Sequence, residues 1–270
     1  MSAVTKTDQG PAPQSPVTVD MSQPGVPMSR LVRVELRKMV NTRAGFWLFA
    51  AMGIATAIIM VALLIWGNDA DMTFGAMFGL MNIPTGFLLP VLAILLVTSE
   101  WSQRTGLVTF TLEPRRPRVI VAKLVTSLVA AVAAVAFATA GATLGTLLAE
   151  VFRDSGGAWD MTWVGFGNAT LLQFVALMQG FAFAMLIMNS AAAIVLYFVL
   201  PMIMNIVTSV VPWIQENLQE WIDLAFAQIP FQSGEAASGQ EWAHLAVTCA
   251  IWVALPLVLG VWRLMRAEVK

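Results

Sequence analysis

Six apolar runs set what this chain can become. They lie at about 46–66, 74–98, 119–149, 167–188, 191–211 and 243–262. Each holds about 20 residues or more, and about 20 residues at 1.5 Å rise cross a hydrocarbon core of about 30 Å. The third is long enough to project past a bilayer at one end. The fourth and fifth are separated by little more than "MNSA", where Asn189–Ser190 can turn the chain between two spans. The expected fold is all-α and polytopic, with six membrane-spanning helices. Composition agrees: 58% of residues are hydrophobic and only 11% charged, against about 25% charged in soluble domains.

The single cysteine, Cys249, excludes an internal disulfide. One cysteine with one histidine also argues against a Cys/His metal site. Residues 1–28 carry Pro11, Pro13, Pro16, Pro24 and Pro27 among polar residues and hold no apolar run. They are expected to form a disordered cytoplasmic tail rather than a signal peptide. Residues 29–45 read as an amphipathic interfacial helix, with Val32, Leu36 and Met39 on one side and Arg30, Arg33 and Arg37 on another. Such a helix suits an anionic membrane face.

Basic residues predict the orientation. Fourteen of the 15 Lys and Arg fall before span one, between spans two and three, or after span six; only Arg153 falls on the other side. The positive-inside rule makes the fourteen cytoplasmic, with both termini inside, the 264–270 C-terminus included. Eight tryptophans, from Trp47 to Trp262, fall near predicted interfaces, while Trp252 is mid-span. Between spans five and six, residues 213–229 place Ile214, Leu218, Trp221, Ala225 and Ile229 at helical spacing, opposite Glu216, Gln219, Glu220 and Asp223. This predicts an outer amphipathic helix that rests at the surface or dips into it.

The segment "EWSQRTGLVTFTLEPRRPRVIVAK", Glu100 to Lys123, is too short for a domain and too polar for lipid. A charge at a helix centre in a bilayer costs about 2.5–3.5 kcal/mol. A short helix, a break at "EPRRPR" and a restart near Arg118 are expected. Glu100, Arg104, Thr105, Gly106, Thr111, Leu112, Pro114, Arg115, Arg116, Arg118 and Lys123 resemble, in type and order, the membrane subunit of ABC-2 type transporters, notably small actinobacterial-type permeases. "ELRKMVNTR" before span one and "NSAAAIVLYFVLP" in span five are similar to that family as well. The chain departs from it at Thr105-Gly106, often Gly-Thr, and at Pro117, where Arg is frequent.

The resemblance implies a six-span transmembrane domain over 46–263, working as a dimer on a separate ATPase subunit. It implies that the loop 99–118 contains a coupling helix that docks on the ATPase. Glu100, Arg104, Thr105, Val108 and Phe110 are the candidate coupling residues, Val108 and Phe110 as apolar anchors. The implied role is a permease subunit exporting a drug-like, peptide or lipid-like compound across a bacterial plasma membrane. The resemblance thus brings lipid, an ABC ATPase and a second permease copy as partners, and no nucleic acid.

No GxxxxGK[ST], HExxH or GxSxG motif occurs. The chain is therefore expected to have no enzymatic activity and no cofactor of its own, with ATP on the partner subunit. His244, at the start of span six, reads as a packing histidine. No acidic or basic residue lies near the centre of a span, which disfavours ion-coupled transport. Uncharged polar residues do occur within spans: Asn82, Thr85, Gln173, Gln179 and Asn205. Interhelical hydrogen bonding is one reading. Asn82, Thr85, Gln179 and Asn205 as a substrate path is the other. Pro84, Pro90 and Pro201 should kink spans two and five. Gly141 and Gly145 form a GxxxG that fits close helix packing or, alternatively, a dimer seam. Two rival classes remain at this level: a secondary carrier or channel, and an intramembrane enzyme or assembly factor.

Overall fold

The computed structural model describes residues 26–68, 71–103, 109, 111, 113, 115–153 and 158–266. Six helices are long and apolar enough to cross a membrane, and no strand occurs among the described residues. A short helix α1 (Met28–Asn41) comes first. The spans are α2 (Arg43–Trp66), α3 (Phe74–Ser102), α4 (Arg116–Arg153), α5 (Trp163–Ile187), α6 (Ser190–Val210) and, after three short helices, α10 (Gly239–Arg266). The chain is an all-α, multi-pass membrane protein.

Side chains of small polar residues start most spans. Thr42, Thr73, Thr162 and Asn189 each accept a hydrogen bond from the backbone N–H three residues on. Ser238 and Glu241 form a reciprocal capping box at the start of α10. These bonds satisfy backbone donors that a helix start leaves unpaired. The turn between α5 and α6 is made by Met188, held at φ 56°, so the "MNSA" stretch separates two helices.

Contacts between helix ends fix an up-and-down arrangement. At one end, Arg263 donates to Leu186 O at 2.8 Å and Arg116 to Leu264 O at 2.6 Å. There Thr98 also shares a hydrogen bond with Ser190 at 2.7 Å. At the other end, Arg153 donates to Leu64 O and Gly67 O at 3.1 and 2.9 Å. It thereby covers the carbonyls that close α2, where a cation also suits the helix dipole.

Helices α3, α4 and α5 form the core. Each buries over half of its apolar stretch, whereas α2 and α6 bury about a tenth of theirs. Leu89, Ile94, Leu177, Phe181 and Met185 fill the half nearer α1; Met77, Phe78, Met81, Ala138 and Ala142 fill the other half. The GxxxG glycines lie against α3: a Cβ on Gly145 would come within 2.7 Å of Met77 Sδ, and one on Gly141 within 2.9 Å of Met81 Sδ. The motif therefore serves packing within the chain.

Two expected boundaries change. The interfacial helix does not run to residue 45. Thr42 is extended at φ −78°, ψ 145°, ends α1 and caps α2. Residues 213–229 are not one helix. They form α7 (Pro212–Asn217), α8 (Gln219–Ile222) and α9 (Leu224–Ala227), followed by a 3-10 turn at Ile229–Gln232. Asp223 causes one break, because its carboxylate accepts from Ala225 N and Phe226 N and restarts the chain. The buried line is then Leu224, Ala227 and Phe231, while Trp221, Ala225 and Ile229 are exposed. Trp252, halfway along α10, donates to Ile222 O at 2.6 Å. The 212–232 segment therefore dips to the level of the middle of α10. Trp252 falls in a π-helical stretch, Ala250–Ala254.

Candidate functional site

Two features stand out, one at each end of the bundle. At the α1 end, four charges from three helices meet. Lys123 on α4 lies 2.8 Å from Glu35 on α1 and 3.3 Å from Glu100 on α3. Lys38 on α1 lies 2.6 Å from Glu35 and 3.4 Å from Glu100. Glu35, Glu100 and Lys123 are 4%, 2% and 2% exposed. Lys123 also donates to Leu96 O at 2.9 Å. Two anions and two cations balance, which is the condition for tolerating charge at this depth. Burial would push the Glu35 carboxyl up, but the Lys123 and Lys38 ammonium groups outweigh it and hold it below its ordinary 4.5. Burial would likewise push Lys38 down, and Glu35, then Glu100, outweigh that and raise it above 10.5.

These directions fix a pH window. A lowered Glu35 stabilises the fold fully above its unfolded value of 4.5, and this is lost as pH falls through the folded value. A raised Lys38 stabilises fully below its unfolded value of 10.5, and this is lost as pH rises through the folded value. Thermal unfolding in detergent should therefore show a plateau from about pH 6 to 9 and fall on both flanks. With Glu35→Gln the acid flank should flatten.

Glu100 is thus the one candidate coupling residue in full view, and its partners are Lys38 and Lys123. Arg104, Thr105, Val108 and Phe110 lie outside the described residues. The helix that leaves span two is continuous: α3 runs unbroken to Ser102. Beyond it, Glu113 is buried and pairs with Arg118 at 3.1 Å. An apolar pocket of about 680 Å³ sits between α1 and α3 beside the charge cluster, lined by Leu31, Met39, Leu92 and Leu96.

The second feature is a cavity of about 1230 Å³ bounded by α3, α5, α6 and the 224–235 segment. Asn82, Gln173 and Gln179 line it, together with Phe78, Phe87, Tyr197 and Phe198. Phe87 and Phe198 stack across the α3–α6 boundary, with centroids 6.1 Å apart. Gln173 is 5% exposed and its Nε2 has no hydrogen-bond partner. Asp160 and Glu235 also line this cavity. Asp160 accepts from Gly75 N at 2.9 Å, at the start of α3.

Of the four candidate path residues, only Asn82 and Gln179 meet here. Thr85 is fully buried and donates to Asn82 O at 2.9 Å, so it closes the α3 backbone instead of lining a path. Asn205 faces a smaller pocket of about 470 Å³, which shares Pro201 and Ala225 with the main cavity. Tyr197, Asp160 and Glu235 were not singled out by sequence. The prolines carried part of the signal. A proline has no N–H, so Pro90 and Pro201 deprive the carbonyls of Gly86 and Tyr197 of their i+4 donor, and both residues line the cavity.

His244 is buried, with Nδ1 3.2 Å from Glu220 and its ring edge-on to Trp221. It fastens α8 to α10. No group of three or more His, Cys, Asp or Glu able to hold a metal occurs among the described residues.

Together these features define a multi-pass helical membrane protein with a large cavity at one end and a buried ionic junction at the other. No protein-family model matches the chain, and no curated protein matches its sequence.

Proposed function

We propose that the chain is the permease subunit of an ATP-driven transporter of the ABC-2 type. In this reading it works as a dimer with a separate ATPase, in a bacterial plasma membrane, with both termini cytoplasmic. The observation that carries the reading is the ionic junction. Glu100 sits in the last turn of α3 and is tied to α1 and α4 at once. A force applied to residues 103–115 by an ATPase reaches three helices through that point. Two further observations support it. The cavity lies between α3, α5 and α6, where relative helix movement changes its size. The lightly buried α2 and α6 leave apolar area for lipid or a second copy.

The test is whether an ABC ATPase is encoded beside this chain and co-purifies with it, and whether inverted vesicles show ATP-dependent uptake. Phe110→Asp and Arg104→Glu should leave the chain folded in the membrane. They should reduce ATPase recovery or uncouple hydrolysis from transport. Full binding and full transport by both variants would overturn the coupling role of this segment.

A further inference from the structure

We propose that the α1–α2 elbow binds an anionic phospholipid, with its phosphate on the arginines of α1 and an acyl chain in the slot between α1 and α3. The inference goes beyond the transporter reading and does not depend on it. Three observations carry it. The first is charge. At about 100° per residue, Arg30, Arg33 and Arg37 fall within an arc of about 60° on α1. All three are exposed, as is Arg43 at the start of α2, and none of the four has an ion-pair partner among the described residues. The charges behind them are already matched: Glu35 and Glu100 by Lys38 and Lys123, Glu113 by Arg118. The arginine stripe is therefore surplus positive charge, and guanidinium groups match phosphate with paired N–H donors. The second is the slot of about 680 Å³. Along α3 it runs from Leu92 to Ser102, about 15 Å of helix. Leu92, Leu95 and Leu96 form its α3 wall, and Leu31 and Val34 its α1 wall. Its deep end lies in a membrane-spanning helix, while Ser102 at the other end is exposed. Arg30 and Lys38 line it as well, so an apolar slot carries a cationic rim. The third is a depth marker. Trp47, one turn after Arg43, is 66% exposed and meets the Phe46 ring edge-on. Indoles prefer the headgroup level, so the elbow sits where lipid phosphates are.

A lipid suits this surface better than a protein partner does. Val34 and Val40 flank the arginines and are 44% and 51% exposed. A partner approaching from water would meet the guanidinium groups but would leave the valines and the deep leucines of the slot uncovered. A phospholipid supplies both parts in one molecule, a phosphate for the arginines and a chain for the leucines. A net negative head is preferred, because the choline of a zwitterionic lipid offsets its phosphate while surplus basic residues draw anionic lipid.

The test offers the purified full chain, in dodecyl maltoside, an equal mixture of phosphatidylglycerol and phosphatidylcholine with identical oleoyl chains. Lipid that stays with the protein through size exclusion is counted by mass spectrometry. Phosphatidylglycerol should be retained at least about fivefold over phosphatidylcholine. Arg30→Gln, Arg33→Gln and Arg37→Gln together, all at exposed positions, should bring that ratio close to one. Arg266→Gln, which removes an exposed cation at the same end on α10, should leave it unchanged. Leu95→Trp should lower phosphatidylglycerol retention by about threefold, because the ring takes the place of chain methylenes. Val34→Trp serves where Leu95→Trp fails to fold. Glycerol phosphate, a headgroup without chains, should not displace the lipid at equal concentration. Equal retention of the two lipids, a ratio that survives the arginine changes, an equal drop with Arg266→Gln, displacement by glycerol phosphate, or indifference to filling the slot would overturn the proposal. So would an arginine variant that keeps its lipid and loses a co-purifying ATPase, which would give the α1 face to a protein partner.

Discussion

Lys123→Met is expected to destabilise the folded chain by about 3–5 kcal/mol, the usual effect of removing one partner from a buried ion pair. The size follows from what is left behind. Glu35 and Glu100 are nearly fully buried and would share only Lys38, whose side chain is 36% exposed. Leu96 O would also lose its donor. Adding Glu35→Gln to Lys123→Met should restore a large part of the loss, because one anion and one cation then remain, Glu100 with Lys38. Thermal unfolding in detergent, followed by size-exclusion recovery, measures both. Additive losses in the double variant would mean that the four groups do not act as a unit. A single variant as stable as the parent would mean that the junction contributes nothing to docking α1.

Gly45→Ala should cost about 3 kcal/mol, at the upper end for forcing a methyl into a packed site. A Cβ there would overlap the Met39 carbonyl oxygen and come within 3.0 Å of Thr42 Oγ1. Both obstacles are in the α1–α2 elbow, and one is backbone, so no rotamer change relieves the contact. The elbow must open, which carries Glu35 and Lys38 away from Lys123. A disulfide engineered between α1 and α4 should then form more slowly than in the parent, and proteolysis near Thr42 should accelerate. Unchanged cross-linking and unchanged stability would show that the elbow can absorb the methyl.

The six spans were legible because lipid imposes one requirement that composition meets over about 20 residues at a time. The exposed side of α1 was legible for a related reason: Arg30, Arg33 and Arg37 follow helical spacing and are all exposed. The ionic junction was not. Nothing in its spacing separates Glu35 from a solvated residue of a basic helix, and its partner Lys123 reads equally well as a topology signal. Pairing is decided by how α1 folds back at Thr42 and Gly45, which local pattern does not encode. The 213–229 segment shows another limit. Its apolar spacing suited a single helix, but the breaks at Leu218 and Asp223 reset the helical phase each time. The buried line therefore moved to Leu224, Ala227 and Phe231. At the cavity, residue type singled out Asn82, Gln173 and Gln179, whereas Asp160 and Glu235 come from turns whose place over the bundle is set by tertiary contacts.

The ionic junction also orders the protein's own assembly. During synthesis Glu35 emerges 88 residues before Lys123, and α2 and α3 must enter the bilayer in between. Until α4 arrives, Glu35 lacks its buried partner Lys123 and has only Lys38, on its own helix, to pair with. The junction can therefore be completed only once the third span is in place. A nascent chain halted before Lys123 would hold two inserted helices and an α1 tied to them by charge only through Lys38 and Glu100.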